Sequence, residues 1–501
     1  MLTKSNLNQS IYKMKSRIAL IFILVITAIS PLIIHNSSHG WGGDFALYLD
    51  QASALWEGNI RELLEQNTFG LQHSSYSYYS PELYPWGWPI LLSPMVKLVG
   101  LNYTWLKLVV MLFFIAMLLA SYYLFRIKTG ATGSLLIVAC LSFNPGLIEY
   151  TNNLRSAFPF LFFVMMALWS YEKLRHSKGT SWRRIVLAAF LFFYASIIRS
   201  EGFLLVAAVG TAEFIQWGAQ KFSKKYLLDR KWLPKMAVAF VCFHIGYTLL
   251  LPGGSSSHFS HFELTSEATI IGNINFYLDH LDYCFSSYLK KSFVMVVLPF
   301  VVIGLYTRFR EDMAMSIYFV LLHVLFVVWP HHEIRYLFIL IPFYFYFLFQ
   351  GLQKTSFSIQ LKNWIFPSSR IAFSAFLVIM LLDYSFYLMR KINRPEYIEG
   401  PETEDAREMF AFINMQTQNC VIVFFKPRVM SLYTGHRSCI IHDYPENIRP
   451  TGNYVVLHKQ MGDYNQINSL IDHPPAWLSK KMENSRFVVY QINREDEISD
   501  Q

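Results

Sequence analysis

Charge is scarce in this chain. Only 15% of its 501 residues are Asp, Glu, Lys or Arg, well below the roughly 25% of a soluble globular protein, whereas 53% are hydrophobic and 17% aromatic. That balance excludes an ordinary soluble enzyme. Cysteine is also rare, and the five present form no C-x-x-C pair, so they suggest no metal site. Cys140 and Cys242 fall in apolar runs where a small thiol is ordinary. Cys420 and Cys439 lie in the polar tail, each at the edge of a strand-like run, and a disulfide between them is open in an oxidising compartment if they approach closely enough. No G-x-x-x-x-G-K phosphate loop occurs, so neither a nucleotide-sugar donor nor an ATP-driven pump is indicated. The first apolar run lacks a small-residue cleavage site after it and reads as a retained anchor.

What the chain does have is apolar runs near the ~20 residues that cross a bilayer as helix. They recur at about 18–34, 103–125, 131–147, 156–172, 183–198, 200–217, 235–251, 291–307, 313–330, 333–350 and 371–389, which predicts about eleven crossings. Lysine and arginine orient them, because these residues accumulate on cytoplasmic loops. With Lys4, Lys13, Lys15 and Arg17 inside, the clusters around Arg126–Lys128, Lys173–Arg184, Lys221–Lys235, Arg308–Arg310 and Lys354–Lys362 all fall inside too. Residues of about 35–102, 252–290 and 390–501 are then outside. The net charge of +9 is therefore mostly a topology signal, and nucleic-acid binding is not expected.

The segment after the first run begins Gly42-Gly43-Asp44-Phe45-Ala46-Leu47-Tyr48-Leu49-Asp50-Gln51-Ala52. Phe45, Leu49, Ala52 and Trp56 recur at helical spacing and Gly58 closes the run, which predicts an amphipathic helix at the membrane surface with Asp44 at its start. Asp44 has two readings there: a helix cap, or a base that takes a proton from a bound hydroxyl or amine. Further on, His73, Tyr76, Tyr78, Tyr79, Tyr84, Trp86 and Trp88 suit either an interfacial aromatic belt or the stacking of sugar rings. Pro85, Gly87 and Pro89 argue against a regular helix and predict a kinked, re-entrant or surface-lying piece around the tryptophans.

The run G-D-F-A-L-Y-L-D-Q-A at 43–52, then Y-P-W-G-W-P-I-L-L-S-P at 84–94, then H-H-E-I-R-Y-L at 331–337, resembles the GT-C membrane glycosyltransferases. In particular it is similar to glycosyltransferase family 39, which is related to protein O-mannosyltransferases and the lipid A aminoarabinose transferase. The resemblance spans about residues 15–350. It implies an all-α polytopic GT-C domain over 1–390 and a small periplasmic α/β domain over 391–501, in the inner membrane with a cytoplasmic N-terminus. It also implies a polyprenyl-phosphate sugar donor, a lipid, glycan or protein acceptor, and Asp44 as catalytic base. Tyr48, Tyr84, Trp86, His332 and Glu333 form the expected substrate-binding set.

Two arginines are candidates for the donor phosphate. Arg335 offers a planar fork of donors suited to a phosphate, although a Glu333–Arg335 pair or snorkelling to lipid phosphates also fits its position. Arg199, in I-I-R-S-E-G-F, resembles an arginine-containing turn of the family and has Glu201 as an alternative partner. Where many relatives carry an acidic residue, this chain has Ala157, which weakens any claim for a second carboxylate or a bound divalent ion, with Glu149 a carboxylate expected nearby. His258, His261, Glu263 and Glu267 have a spacing that fits a metal, but a Pro-Gly-Gly-Ser-Ser-Ser run precedes them and no metal or other cofactor is expected. In the tail a helix is predicted over 404–415 and strands at 421–425, 438–441, 454–457 and 487–491, while Lys426-Pro427-Arg428 resembles a family segment that either turns strand into helix or contacts the acceptor. The reading from a different class is a transporter or flippase of a lipid-linked sugar. It would have no use for an external base, and the halves show no hydropathy symmetry.

Overall fold

In the computed structural model of the chain the described residues are 4–75, 81–177, 179, 181–253, 265–285, 291–361, 364–393, 399–417, 420–442, 444–460 and 465–494. They gather into two compact units. One comprises Met1–His35, Lys107–Pro252 and His261–Pro395, and the other Asn36–Leu106, Gly253–Ser260 and Glu396–Gln501. The long segment after the first apolar run thus groups with the tail.

The first unit is helical because a helix alone satisfies every backbone group of an apolar run within the run itself. Helices cover Lys4–Ile33, Tyr103–Ser142, Ala157–Arg175, Trp182–Ile198, Gly202–Ala219, Trp232–Leu250, Lys291–Arg308, Met313–Val328, Leu337–Lys354 and Ser368–Asn393. Among the described residues seven helices are long and apolar enough to cross a membrane, which makes the chain a multi-pass membrane protein. That number departs from the eleven runs for two reasons. The runs at 103–125 and 131–147 fall in one continuous stretch, Tyr103–Ser142, in which two helices meet at Gly130, whose φ of 72° glycine adopts without strain. Trp182–Ile198, Phe293–Arg308 and Met313–Val328 are shorter than the rest.

Two contacts lock this unit. A Cβ on Gly304 would lie 1.9 Å from the carbonyl oxygen of Phe347, and one on Gly351 would lie 1.8 Å from that of Phe300. Helices Lys291–Arg308 and Leu337–Lys354 therefore cross backbone against backbone, as small residues allow in membranes. The second lock is ionic. Lys128 Nζ lies 2.9 Å from Glu172 and 2.7 Å from Asp312, Arg308 Nε donates to Asp312 at 2.8 Å, and the Tyr346 hydroxyl donates to the same carboxylate. All four charged side chains are largely withdrawn from solvent. Removing one member leaves buried charge uncompensated, so Lys128→Met is expected to destabilise the protein by ~3–5 kcal/mol. A melting temperature of the purified variant equal to the parent's would show that the cluster contributes no stability.

A short hairpin, β1 (Ser358–Leu361) with β2 (Trp364–Pro367), also belongs to this unit. In the second unit a five-stranded mixed sheet runs β4-β3-β5-β7-β6, with β3 Val421–Val423, β4 Arg437–Cys439, β5 Tyr454–His458, β6 Leu478–Glu483 and β7 Phe487–Ile492. β4 and β5 flank β3 in parallel, whereas β7 runs antiparallel to both β5 and β6. The four predicted strands are present, as is the helix, at Glu404–Asn414 with Thr403 as its cap. β6 was not predicted: its Leu-Ser-Lys-Lys-Met-Glu sequence lacks β-branched residues and carries the lysines of a protected edge strand. Cys420 and Cys439 are both buried and free. The parallel register sets Cys439 opposite Val423, three residues past Cys420, so the two thiols are out of step.

Trp41, shortly after the first helix, stands among Phe424, Phe425, Phe487 and His458 of the tail at ring separations of 5.2–6.5 Å. Burial of such rings, each contributing roughly 150–250 Å², explains why this segment groups with the sheet. The irregular piece expected around the tryptophans is instead a helix, Gly87–Val99. Pro89 falls in its first turn, where the missing N–H has no partner in any case, and only Pro94 removes an interior hydrogen bond. Trp86 and Trp88 are buried in the unit.

Candidate active site

Asp44 lies in the first turn of helix Gly43–Glu57. The N-cap is Gly42, which has no side chain to offer, and the helix ends on Gly58 at a left-handed φ of 75°. Asp44 is therefore not the cap. Its negative charge still complements the positive helix end, by about 0.3–1 kcal/mol.

Asp44, Tyr48 and Gln51 follow at i, i+4 and i+7, and so share one helix face. All three engage Tyr84. The Tyr84 hydroxyl donates to Asp44 Oδ1 at 2.9 Å, the rings of Tyr48 and Tyr84 lie 4.9 Å apart, and the Gln51 amide makes two hydrogen bonds with the Tyr84 backbone, donating from Nε2 to its carbonyl at 2.9 Å and accepting at Oε1 from its N–H at 3.0 Å. Two satisfied hydrogen bonds of this kind contribute ~1 kcal/mol each, and they fix the ring where its hydroxyl meets the carboxylate. Arg428 also meets the ring, with Cζ 5.4 Å from its centroid. It donates to Pro81 O at 2.6 Å and to the Tyr84 hydroxyl at 3.4 Å. Asp50, half-buried on the same helix, has its carboxyl pushed well above the ordinary range by burial, against the opposing pull of Arg428.

The candidates of the other unit form a second group. Arg199 ends helix Trp182–Ile198 in extended conformation and its Nε donates to Glu201 at 3.1 Å. Arg335, in a single 3-10 turn at Ile334–Tyr336, donates from Nη2 to Glu333 at 2.6 Å, with Nε 2.6 Å from the other oxygen. Both arginine–glutamate pairs lie within electrostatic reach of the Tyr336 hydroxyl. The connection that carries Arg335 is held from below by Asn273, whose amide donates to Val327 O and Trp329 O at 2.9 and 2.6 Å and whose carbonyl meets His332 Nδ1 at 2.9 Å. The ring of His332 also packs against Phe276, with centroids 4.2 Å apart and the planes tilted by 37°. Close by, burial pushes the Tyr277 phenol upward, with smaller effects from Glu333 and Arg335.

None of the protein-family models and none of the curated protein sequences matches this chain. Solved structures do. The chain is similar to ArnT from Cupriavidus metallidurans bound to undecaprenyl phosphate, at 12% identity and a TM-score of 0.60, over 94% of this chain and 97% of that one. It is similar to the Archaeoglobus fulgidus oligosaccharyltransferase in complex with Zn and sulfate, at 12% identity and a TM-score of 0.58, over 95% of this chain and 73% of that one. It is also similar to the mycobacterial arabinofuranosyltransferase AftD, at 12% identity and a TM-score of 0.55, over 96% of this chain and 40% of that one. The chain has the GT-C fold.

Within this GT-C chain the remaining sequence candidates are placed as follows. Tyr76, Tyr78, Tyr79, His258, His261 and Glu263 lie outside the described residues. Glu267 opens helix Glu267–Asp279, capped by Ser266, and the described residues contain no group of three His, Cys, Asp or Glu that could hold a metal ion. Ala157 is buried at the start of its helix, and Glu149 pairs with Lys391 at 3.1 Å. Sequence reasoning gave no part to Gln51 or Asp50 and saw no partner for Arg428. Gln51 was within reach of the i, i+4, i+7 pattern. Arg428 was not, since 344 residues separate it from Tyr84.

Proposed function

We propose that this chain is a membrane glycosyltransferase that moves a sugar from a polyprenyl-phosphate donor to a lipid, glycan or protein acceptor at the outer face of the inner membrane. The observation that carries this reading is the carboxylate of Asp44, placed in a helix first turn and oriented by Tyr84, on the segment that follows the first membrane-length helix. Asp44 would remove the proton of the acceptor hydroxyl or amine as that atom attacks the anomeric carbon, and a single displacement would invert the centre. Arg335 and Arg199 would stabilise the phosphate that departs, with their guanidinium forks exchanging a carboxylate for a phosphate. Two GT-C structures support a lipid-linked donor: ArnT is bound to undecaprenyl phosphate, and the archaeal oligosaccharyltransferase AglB is in complex with an inhibitory peptide and a dolichol-phosphate.

Mass spectrometry of glycolipids and glycoproteins from cells with and without the gene tests the reading. A glycosyl increment should vanish on deletion, return with the parent sequence and stay absent with Asp44→Asn. Identical profiles in all strains would refute transfer. Orientation has its own test. A reporter enzyme fused after residue 390 is expected to be active only outside the cytoplasm, and activity inside would put the tail on the wrong side for this chemistry.

A further inference from the structure

Arg428 stands where packing alone would not place an arginine. It is buried, at 8% exposure, and it occupies the first turn of helix Pro427–Thr434, the end at which a cation is disfavoured by the helix dipole. Both terms oppose it. Its observed partners are the Pro81 carbonyl, the Tyr84 hydroxyl and the Tyr84 ring, all in the short segment that brings Tyr84 onto Asp44.

We infer that Arg428 is a positioning residue for Asp44 that acts through Tyr84, so that the C-terminal domain holds part of the base's machinery. The inference rests on the reading of Asp44 as the base. When the phenol oxygen accepts from Arg428, its own proton points at the carboxylate, because a hydroxyl has one proton to give and lone pairs to receive. Meanwhile the bond to Pro81 fixes the backbone three residues before Tyr84. Arginine suits this double task through its planar fork, whereas lysine offers one point charge.

The test uses the full-length protein in lipid nanodiscs, with the total polyprenyl-phosphate sugar fraction extracted from membranes of the native cells as donor. Arg428→Met should lower kcat about 10-fold, the scale of a slightly misplaced catalytic group, with KM changed less than about twofold. Arg428→Lys should recover part of the loss. In a Tyr84→Phe background, Arg428→Met should add almost nothing, since the hydroxyl it acts through is gone. The double variant Arg428→Met/Asp50→Asn, which leaves no unpaired acid beside the site, guards against a folding defect in the single variant. A full 10-fold further loss in the Tyr84→Phe background, or an unchanged kcat, overturns the inference. Asp44→Asn is run alongside: if it is inactive while Arg428→Met is unaffected, only the role of Arg428 falls. Parental activity in Asp44→Asn removes both.

Discussion

Asp44→Asn is expected to leave expression, insertion and melting close to the parent while sugar transfer falls by ~100-fold or more, the usual scale of a lost general base. The amide keeps the shape of the carboxylate and retains an oxygen to receive the Tyr84 hydroxyl, which approaches Oδ1 at 2.9 Å. It cannot take a proton. Because Gly42 is the N-cap, the substitution breaks no cap and sacrifices only the charge–dipole term, about 0.3–1 kcal/mol. Asp44→Ala should be equally inactive and also free the Tyr84 ring, so its melting point should drop further. If purified Asp44→Asn transfers sugar from a polyprenyl-phosphate donor at near the parent rate, the carboxylate only orients Tyr84 and the mechanism is wrong.

The second large effect is expected at Arg335. Arg335→Ala should abolish transfer in a protein that still inserts, and Arg335→Lys should keep a minor fraction, since an ammonium cannot make the two parallel bonds of a guanidinium. The pair with Glu333 sharpens this expectation. Glu333 is partly solvated, with its side chain 42% exposed, so water can replace the lost arginine and a folding defect is not the anticipated cause. Glu333 also competes for the same fork that the phosphate would use. Glu333→Gln should therefore tighten binding of a polyprenyl phosphate measured directly in nanodiscs, while Arg335→Ala weakens it. Full activity in both Arg335 variants would return this residue to a purely interfacial role.

The sequence made some of this legible and hid the rest for physical reasons. Apolar runs show themselves because a bilayer demands length, and each expected run is helical. Hydropathy also separated the two helices that meet at the Gly130 kink. The helix from Gly43 was visible in its period and in Gly58. Its grip on Tyr84 was half visible: Asp44, Tyr48 and Gln51 share a face, but nothing local says that the face meets a loop more than thirty residues away. The two arginine–glutamate pairs could be read directly, being two residues apart in each case. The burial of Trp86 and Trp88 was not legible, because an aromatic next to glycine and proline looks the same in sequence whether it is packed or open. β6 was silent because an edge strand needs no apolar alternation on its outer side.

The backbone contact between Gly304 and Gly351 has a dynamic consequence for the donor end. With each glycine seated against a carbonyl of the opposite helix, neither helix can slide by even one residue without driving a side chain into the main chain of its neighbour. The Leu337–Lys354 helix is thus a fixed post, and the turn that carries Arg335 is tethered directly to its first residue. If Arg335 receives the phosphate as proposed, it would reach it by swinging its own side chain or by a shift that begins at the far tether, near Trp329, which Asn273 holds by a hydrogen bond.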